Sequence, residues 1–161
     1  MKMAKRGRPR KDIMLQIVHQ QEEAMRKAKI GSIANGDEQR GAYPLGALWA
    51  REFIDQSRHD AGVKYAELYG RVFGRTTPGT SDGSPELSEA AMEKCERDYW
   101  EAANLLASHS RAIKDAVDNA AVYSRYPSML FHARKRRSDK HLLDGLEILD
   151  KLFNAGERAV A

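Results

Sequence analysis

Between Lys5 and Lys11 the chain reads Lys5-Arg6-Gly7-Arg8-Pro9-Arg10-Lys11, five cations in seven residues interrupted only by a glycine and a proline. Its chemistry is the capture of a polyanion by a thin, extended strand. Gly7 has no side chain to hold the backbone away from a groove floor, and Pro9 disfavours helix at Arg8. Such a strand fits a DNA minor groove about 6 Å wide, where a narrow A·T-rich tract concentrates negative potential that favours inserted arginines. Arg6 and Arg8 are placed for insertion. Lys5, Arg10 and Lys11 fall nearer the phosphates, where they add affinity and salt dependence rather than base preference. A solvated basic tail or an RNA-binding tail is the other reading of the same residues.

The charge distribution isolates this arm. The chain carries a formal +4, but its first eleven residues hold six cations and no acid, which leaves −2 for the rest. A near-neutral body with a concentrated cationic leader implies a polyanionic partner more than general solubility does. A second run, Arg134-Lys135-Arg136-Arg137, falls between Pro127 and the Ser138 cap, at the end of one helix or in the turn before the last, and offers secondary phosphate contacts, weighed against a solvated face or cations favoured by the dipole at a helix C-terminus.

Around Arg6-Gly7-Arg8-Pro9 the string resembles the AT-hook, whose core is Arg-Gly-Arg-Pro flanked by basic residues, here Lys5 and Arg10. The resemblance covers about seven residues and implies binding in the A·T-rich minor groove of double-stranded DNA. A single copy implies weak autonomous binding, which oligomerisation would multiply. In the body, Tyr43-Pro44-Leu45-Gly46, Asp60-Ala61-Gly62 and Tyr65-Ala66 resemble small uncharacterised helical proteins of bacterial and prophage genomes. That likeness implies no particular activity.

Other chemistries lack residues to carry them. His19, His59, His109, His132 and His141 have no close metal-ligand spacing, and exposed or capping positions are expected for them. Cys95 is the only cysteine, which excludes an intramolecular disulfide and reads as a small buried hydrophobe. No phosphate-binding glycine loop and no G-x-S-x-G turn occurs. Trp49, Trp100, Tyr65, Tyr69 and Tyr99 fall near helical spacing, as core or interface residues do. No catalytic residue, metal or cofactor is expected, and the protein reads as a binder rather than an enzyme.

The elements that must present these residues are helical. With 42% hydrophobic and 31% charged residues, a modest core fits beneath a solvated surface. The expected architecture is all-α, about four to five helices in a compact domain over 42–161. It is preceded by a disordered basic arm (1–11) and by a weaker helix with a flexible linker (12–41). Asp12 is the expected cap of that first helix, which carries Ile13, Ile17, Ala24 and Ala28. Pro44 opens a short helix ending near Arg51, and Asp55 caps another whose stripe of Ala61, Tyr65, Leu68, Tyr69 and Val72 runs to Gly74. Thr76 to Pro85 reads as a loop.

Ser84 and Pro85 are expected to start a long helix carrying Met92, Cys95, Tyr99, Ala102 and Leu106, with a bend at Ser108 to Ser110 and a break at Pro127. Ser138 is the expected cap of a last helix with Leu142, Leu146, Leu149 and Phe153 inward and Gly156 just beyond its end. Residues 44–73 could form a helix-turn-helix offering Arg58, His59, Lys64 and Arg71, although Asp55, Asp60 and Glu67 dilute that charge. No apolar stretch approaches a membrane span and no signal-peptide region follows the basic start, so a cytoplasmic, nucleoid-associated location is expected. Together these features imply a DNA-binding accessory or regulatory protein whose body forms homo-oligomers or docks a protein partner. The alternative is an oligomeric helical scaffold or adaptor of a phage or prophage assembly, for example a small-terminase-like subunit.

Overall fold

A computed structural model describes residues 19–20, 22–23, 38–74 and 88–158. The regular structure among them is entirely helical, as the periodicity requires. The helices are α1 (Glu38–Gly41), α2 (Pro44–Ala50), α3 (Gln56–Phe73), α4 (Glu89–His109), α5 (Arg111–Val117) and α6 (Arg137–Arg158), with a π-helical turn at Asp118–Val122 and a 3-10 turn at Ser128–Leu130. Of the expected N-terminal helix, His19, Gln20, Glu22 and Glu23 are helical with exposed side chains. The Asp12 cap and the loop 76–85 lie outside the described residues.

Local chemistry sets most boundaries. Tyr43 is extended (φ −141°, ψ 153°) and hands the chain to Pro44 at the first position of α2, where a missing N–H costs nothing. Asp55 Oδ1 accepts from the Arg58 amide at 2.9 Å to cap α3, and Gly74 ends that helix at φ 66°, a conformation glycine adopts without strain. Ser110 performs two functions at once. Its extended backbone (φ −172°, ψ 138°) ends α4 while its hydroxyl accepts from the Ala112 amide at 3.2 Å and starts α5, so the expected bend is a helix junction.

Three expected boundaries are different. The cap of α4 is Ser88, whose Oγ accepts from the Ala91 amide at 3.3 Å, so the helix begins at Glu89 rather than at Ser84 and Pro85. Helical structure after α5 stops at Val122, ahead of Pro127, because the π-helical turn is followed by Ser124 in the left-handed region (φ 52°). Gly156 lies inside α6, which continues to Arg158.

α3 runs through the middle of the body, with α2 across its start, α4 and α6 along its length and the π-helical turn against it, while α5 packs on α6. Leu48, Tyr65, Leu106, Val117, Leu142, Leu146 and Leu149 are fully enclosed at this junction. Each enclosed leucine contributes roughly 1.5–3 kcal/mol of hydrophobic stabilisation. The α5–α6 crossing is close enough that a Cβ at Gly145 would meet the Val117 and Ile113 side chains. Tyr65 closes the core with a polar anchor: its hydroxyl donates to Asp118 Oδ1 at 2.8 Å, and Asp118 also pairs with Lys114. Burial first, then the Asp118 charge, pushes the Tyr65 phenol far above its ordinary value.

Candidate nucleic-acid interface

The arm residues Lys5, Arg6, Gly7, Arg8, Pro9, Arg10 and Lys11 lie outside the described residues. The second basic run lies in the turn before the last helix, one of the two places expected for it. Arg134, Lys135 and Arg136 occupy the turn before α6, and Arg137 is the first residue of that helix. They therefore sit at the N-terminal, positive end of a 22-residue dipole rather than at a favourable C-terminal end. Each cation there costs about 0.3–1 kcal/mol instead of gaining it.

One buried carboxylate holds this turn in place. Asp139 is 1% exposed, and its Oδ2 accepts from the Arg136 amide at 2.7 Å and from Ser128 Oγ at 2.6 Å. It stands at the third helical position and reaches back to the amide before the first turn, as the acidic half of a capping box does. Ser138, the expected cap, is instead an exposed second residue of α6. The sequence signal was present: Asp139 lies three residues after Arg136, but Arg136 has no capping side chain to announce the pair.

With its backbone fixed from below, the run faces solvent: residues 132–138 are all exposed. Among the described residues, none of Arg134, Lys135, Arg136 and Arg137 forms an ion pair with a carboxylate. A neighbouring cation comes from a residue that sequence reasoning passed over. α2 ends in a Schellman turn, in which the Glu52 amide donates to the Trp49 carbonyl and the Phe53 amide to the Leu48 carbonyl, both at 2.9 Å. The turn throws Phe53 toward Lys135, whose Nζ lies 5.8 Å from the ring centre, while the Arg51 guanidinium lies 5.7 Å from it. Arg51 Nη1 also donates to the Leu130 carbonyl, tying the end of α2 to the 3-10 turn. A glycine after Arg51 would have signalled this turn; Glu52 at φ 59° conceals it.

The helix-turn-helix candidates are committed elsewhere. Arg58 pairs with Glu147 at 3.6 Å, Lys64 Nζ lies 4.5 Å over the Phe153 ring, and Arg71 Nη1 lies 3.8 Å from Cys95 Sγ. His59, expected at an exposed or capping position, is 7% exposed. Its ring lies 4.7 Å from that of Trp49, with Nε2 2.7 Å from the Tyr43 hydroxyl and Nδ1 2.8 Å from Asp60 Oδ1. A carboxylate only accepts, so Nδ1 is the donor. The exposed face of α3 mixes Asp60 with Lys64 and Arg71, so its charge is diluted as the sequence implied.

A second surface is aromatic. Trp100, expected in the core or an interface, is 49% exposed and joins Phe73 at 47% and Tyr123 at 48%. Half-buried Tyr69 and buried Tyr99 link them through ring contacts of 4.6 to 6.4 Å. Elsewhere, the Ser57 hydroxyl donates to Asp150 and accepts from Asn154 Nδ2 at 2.9 Å beside a hollow of about 660 Å³. With no imidazole between hydroxyl and carboxylate, this trio is a bridge between α3 and α6 rather than a proton relay. Among the described residues, no three metal-ligating side chains converge and no helix is long and apolar enough to cross a membrane. In comparison with known proteins, the chain matches no protein-family model, no curated protein and no solved structure.

Proposed function

We propose that the protein is a DNA-binding accessory or regulatory factor, a binder rather than an enzyme, acting at the nucleoid. Its Arg6-Gly7-Arg8-Pro9 arm reads A·T-rich minor groove, and the helical body carries or positions the arm. The observation that carries this reading is the arm itself, five cations in seven residues around a Gly and a Pro, ahead of a body with the opposite net charge. Support comes from the exposed run Arg134–Arg137, which costs stability at the start of α6 and forms no ion pair among the described residues. Such cations suit secondary phosphate contacts.

Fluorescence anisotropy with A·T-rich and G·C-rich duplexes and an RNA hairpin tests the reading. The full chain should prefer the A·T-rich duplex and be displaced by a small minor-groove ligand. The Arg6→Ala/Arg8→Ala variant should lose at least about tenfold in affinity and most of that preference. Equal affinity of the variant, or preference for RNA, overturns it.

A second reading, an oligomeric scaffold or adaptor of a phage or prophage assembly, is favoured by one observation. The aromatic surface of Phe73, Trp100 and Tyr123 has the character of an interface rather than of scattered surface hydrophobes. A second copy of the chain seated there would multiply a weakly binding arm. Sedimentation should then show an oligomer that Trp100→Ser dissociates; a monomer at all concentrations contradicts it.

A further inference from the structure

The geometry points to a second phosphate-contact face on the body, built by Arg51 and Lys135 around Phe53 and continued by Arg134, Arg136 and Arg137. This face and the N-terminal arm grip one duplex together. The inference rests on the DNA-binding reading above and adds to it the body's own contact residues and a bivalent mode of binding.

Three observations converge. First, the face is composite: Arg51 and Phe53 come from the turn after α2, and the other cations from the turn before α6. The end of α2 is tied to the 3-10 turn by the hydrogen bond from Arg51 to the Leu130 carbonyl, and that turn to the start of α6 by the Ser128 hydroxyl donating to the Asp139 carboxylate. Second, the cations are held in place. The guanidinium of Arg51 is tethered, and the backbone beneath Arg136 is fixed by Asp139, so less conformational freedom is lost when a phosphate arrives. Arg51 and Lys135 both flank one ring, which keeps their charges within about 12 Å of each other, some three to four steps of about 3.4 Å along a strand. Third, the charge balance is positive. Glu52, Asp55 and Asp139 are acids of this corner; the Asp55 carboxylate already accepts from the Arg58 amide, and buried Asp139 from the Arg136 amide and the Ser128 hydroxyl. Five exposed cations face them.

The chain length permits both grips at once. Residues 12–37 separate the arm from the first helix of the body. That segment spans about 39 Å if wholly helical and at most about 90 Å if fully extended. Either figure exceeds the roughly 34 Å of one duplex turn. The partner is the sugar-phosphate backbone, so this face adds affinity and salt dependence without base preference.

The test measures affinity of the full chain for an A·T-rich duplex between low and moderate salt. Three proteins are compared with the wild type: Arg51→Gln/Lys135→Gln, Arg134→Gln/Arg136→Gln/Arg137→Gln and the charge-keeping Arg51→Lys. The two neutralising variants should each lose about tenfold or more in affinity, flatten the dependence of log K on log salt by about one to three, and keep the A·T over G·C ratio. Arg51→Lys should keep the wild-type slope. Because the three side chains of the second variant face solvent, it reports on charge even if Arg51→Gln loosens the turn. Wild-type slopes in both neutralising variants overturn the inference while leaving the arm's role intact. Loss of binding in these variants with no effect of Arg6→Ala/Arg8→Ala sustains this face and overturns the arm. A slope lost in Arg51→Lys as well would reassign Arg51 to holding the turn.

Discussion

Glu52 occupies the left-handed position of the turn that ends α2, at φ 59°, where a Cβ is crowded by its own backbone. Glycine adopts that conformation freely, so Glu52→Gly should raise stability by about 0.5–1 kcal/mol, read as a later urea midpoint. It also removes an acid beside Arg51, and DNA affinity should rise with it; an earlier midpoint contradicts the assignment of the turn. The tyrosines define a different residue-scale effect. Burial raises the phenols of Tyr65, Tyr99 and Tyr126 above their ordinary value of 10.0, with Asp118 adding to the effect at Tyr65. As pH climbs past 10 the unfolded chain releases those protons first. The stability associated with them is therefore complete below about pH 10 and lost progressively above it. Absorbance titration should show at least Tyr65 ionising only as the fold melts, and Tyr65→Phe should extend stability to higher pH. Reversible ionisation of all six tyrosines near pH 10 with the fold intact contradicts this.

At the scale of elements, α5 and α6 cross where Gly145 faces Val117 and Ile113, with a substituted Cβ 3.0 Å from Ile113 Cγ2 and nearer still to Val117 Cγ2. Two effects oppose each other in Gly145→Ala. Helix propensity favours alanine by about 0.8–1 kcal/mol, and overpacking costs about 1–3 kcal/mol. Because the obstructing Val117 is itself fully buried, the second effect should win, lowering the urea midpoint by a net 1 kcal/mol or so. A more stable variant would mean the crossing has slack. The sequence showed the helices themselves wherever a cap and a stripe agreed, as at Pro44 and at Asp55 with Gly74, and it showed the Ser110 junction only as a bend. It did not show Ser88 or Asp139 as starting signals. Ser84-Pro85 carries the stronger pattern ahead of Ser88, and Asp139 caps through a residue with no capping side chain. The left-handed Glu52 hid a turn for the same reason, since its residue type argues against its conformation. His59 was misread because Tyr43 and Trp49 reach its ring only when α2 crosses α3.

In the whole molecule a short cationic arm precedes a helical body that turns further cations outward at one corner. The arm was legible because its chemistry is contiguous: Lys5 to Lys11 need no fold to be read. The corner was half legible, since Arg134 to Arg137 are contiguous while Arg51 joins them only through the turn after α2. In the proposed binding both parts would displace counterions from DNA, an effect that grows steeply as salt falls. The most direct measurement is a salt titration of affinity for an A·T-rich duplex, comparing the full chain with one lacking residues 1–11. If the arm lies in the groove, its removal should weaken binding at least about tenfold at moderate salt and lower the slope of log K against log salt by about three to five. Superimposable titrations of the two proteins would contradict the account.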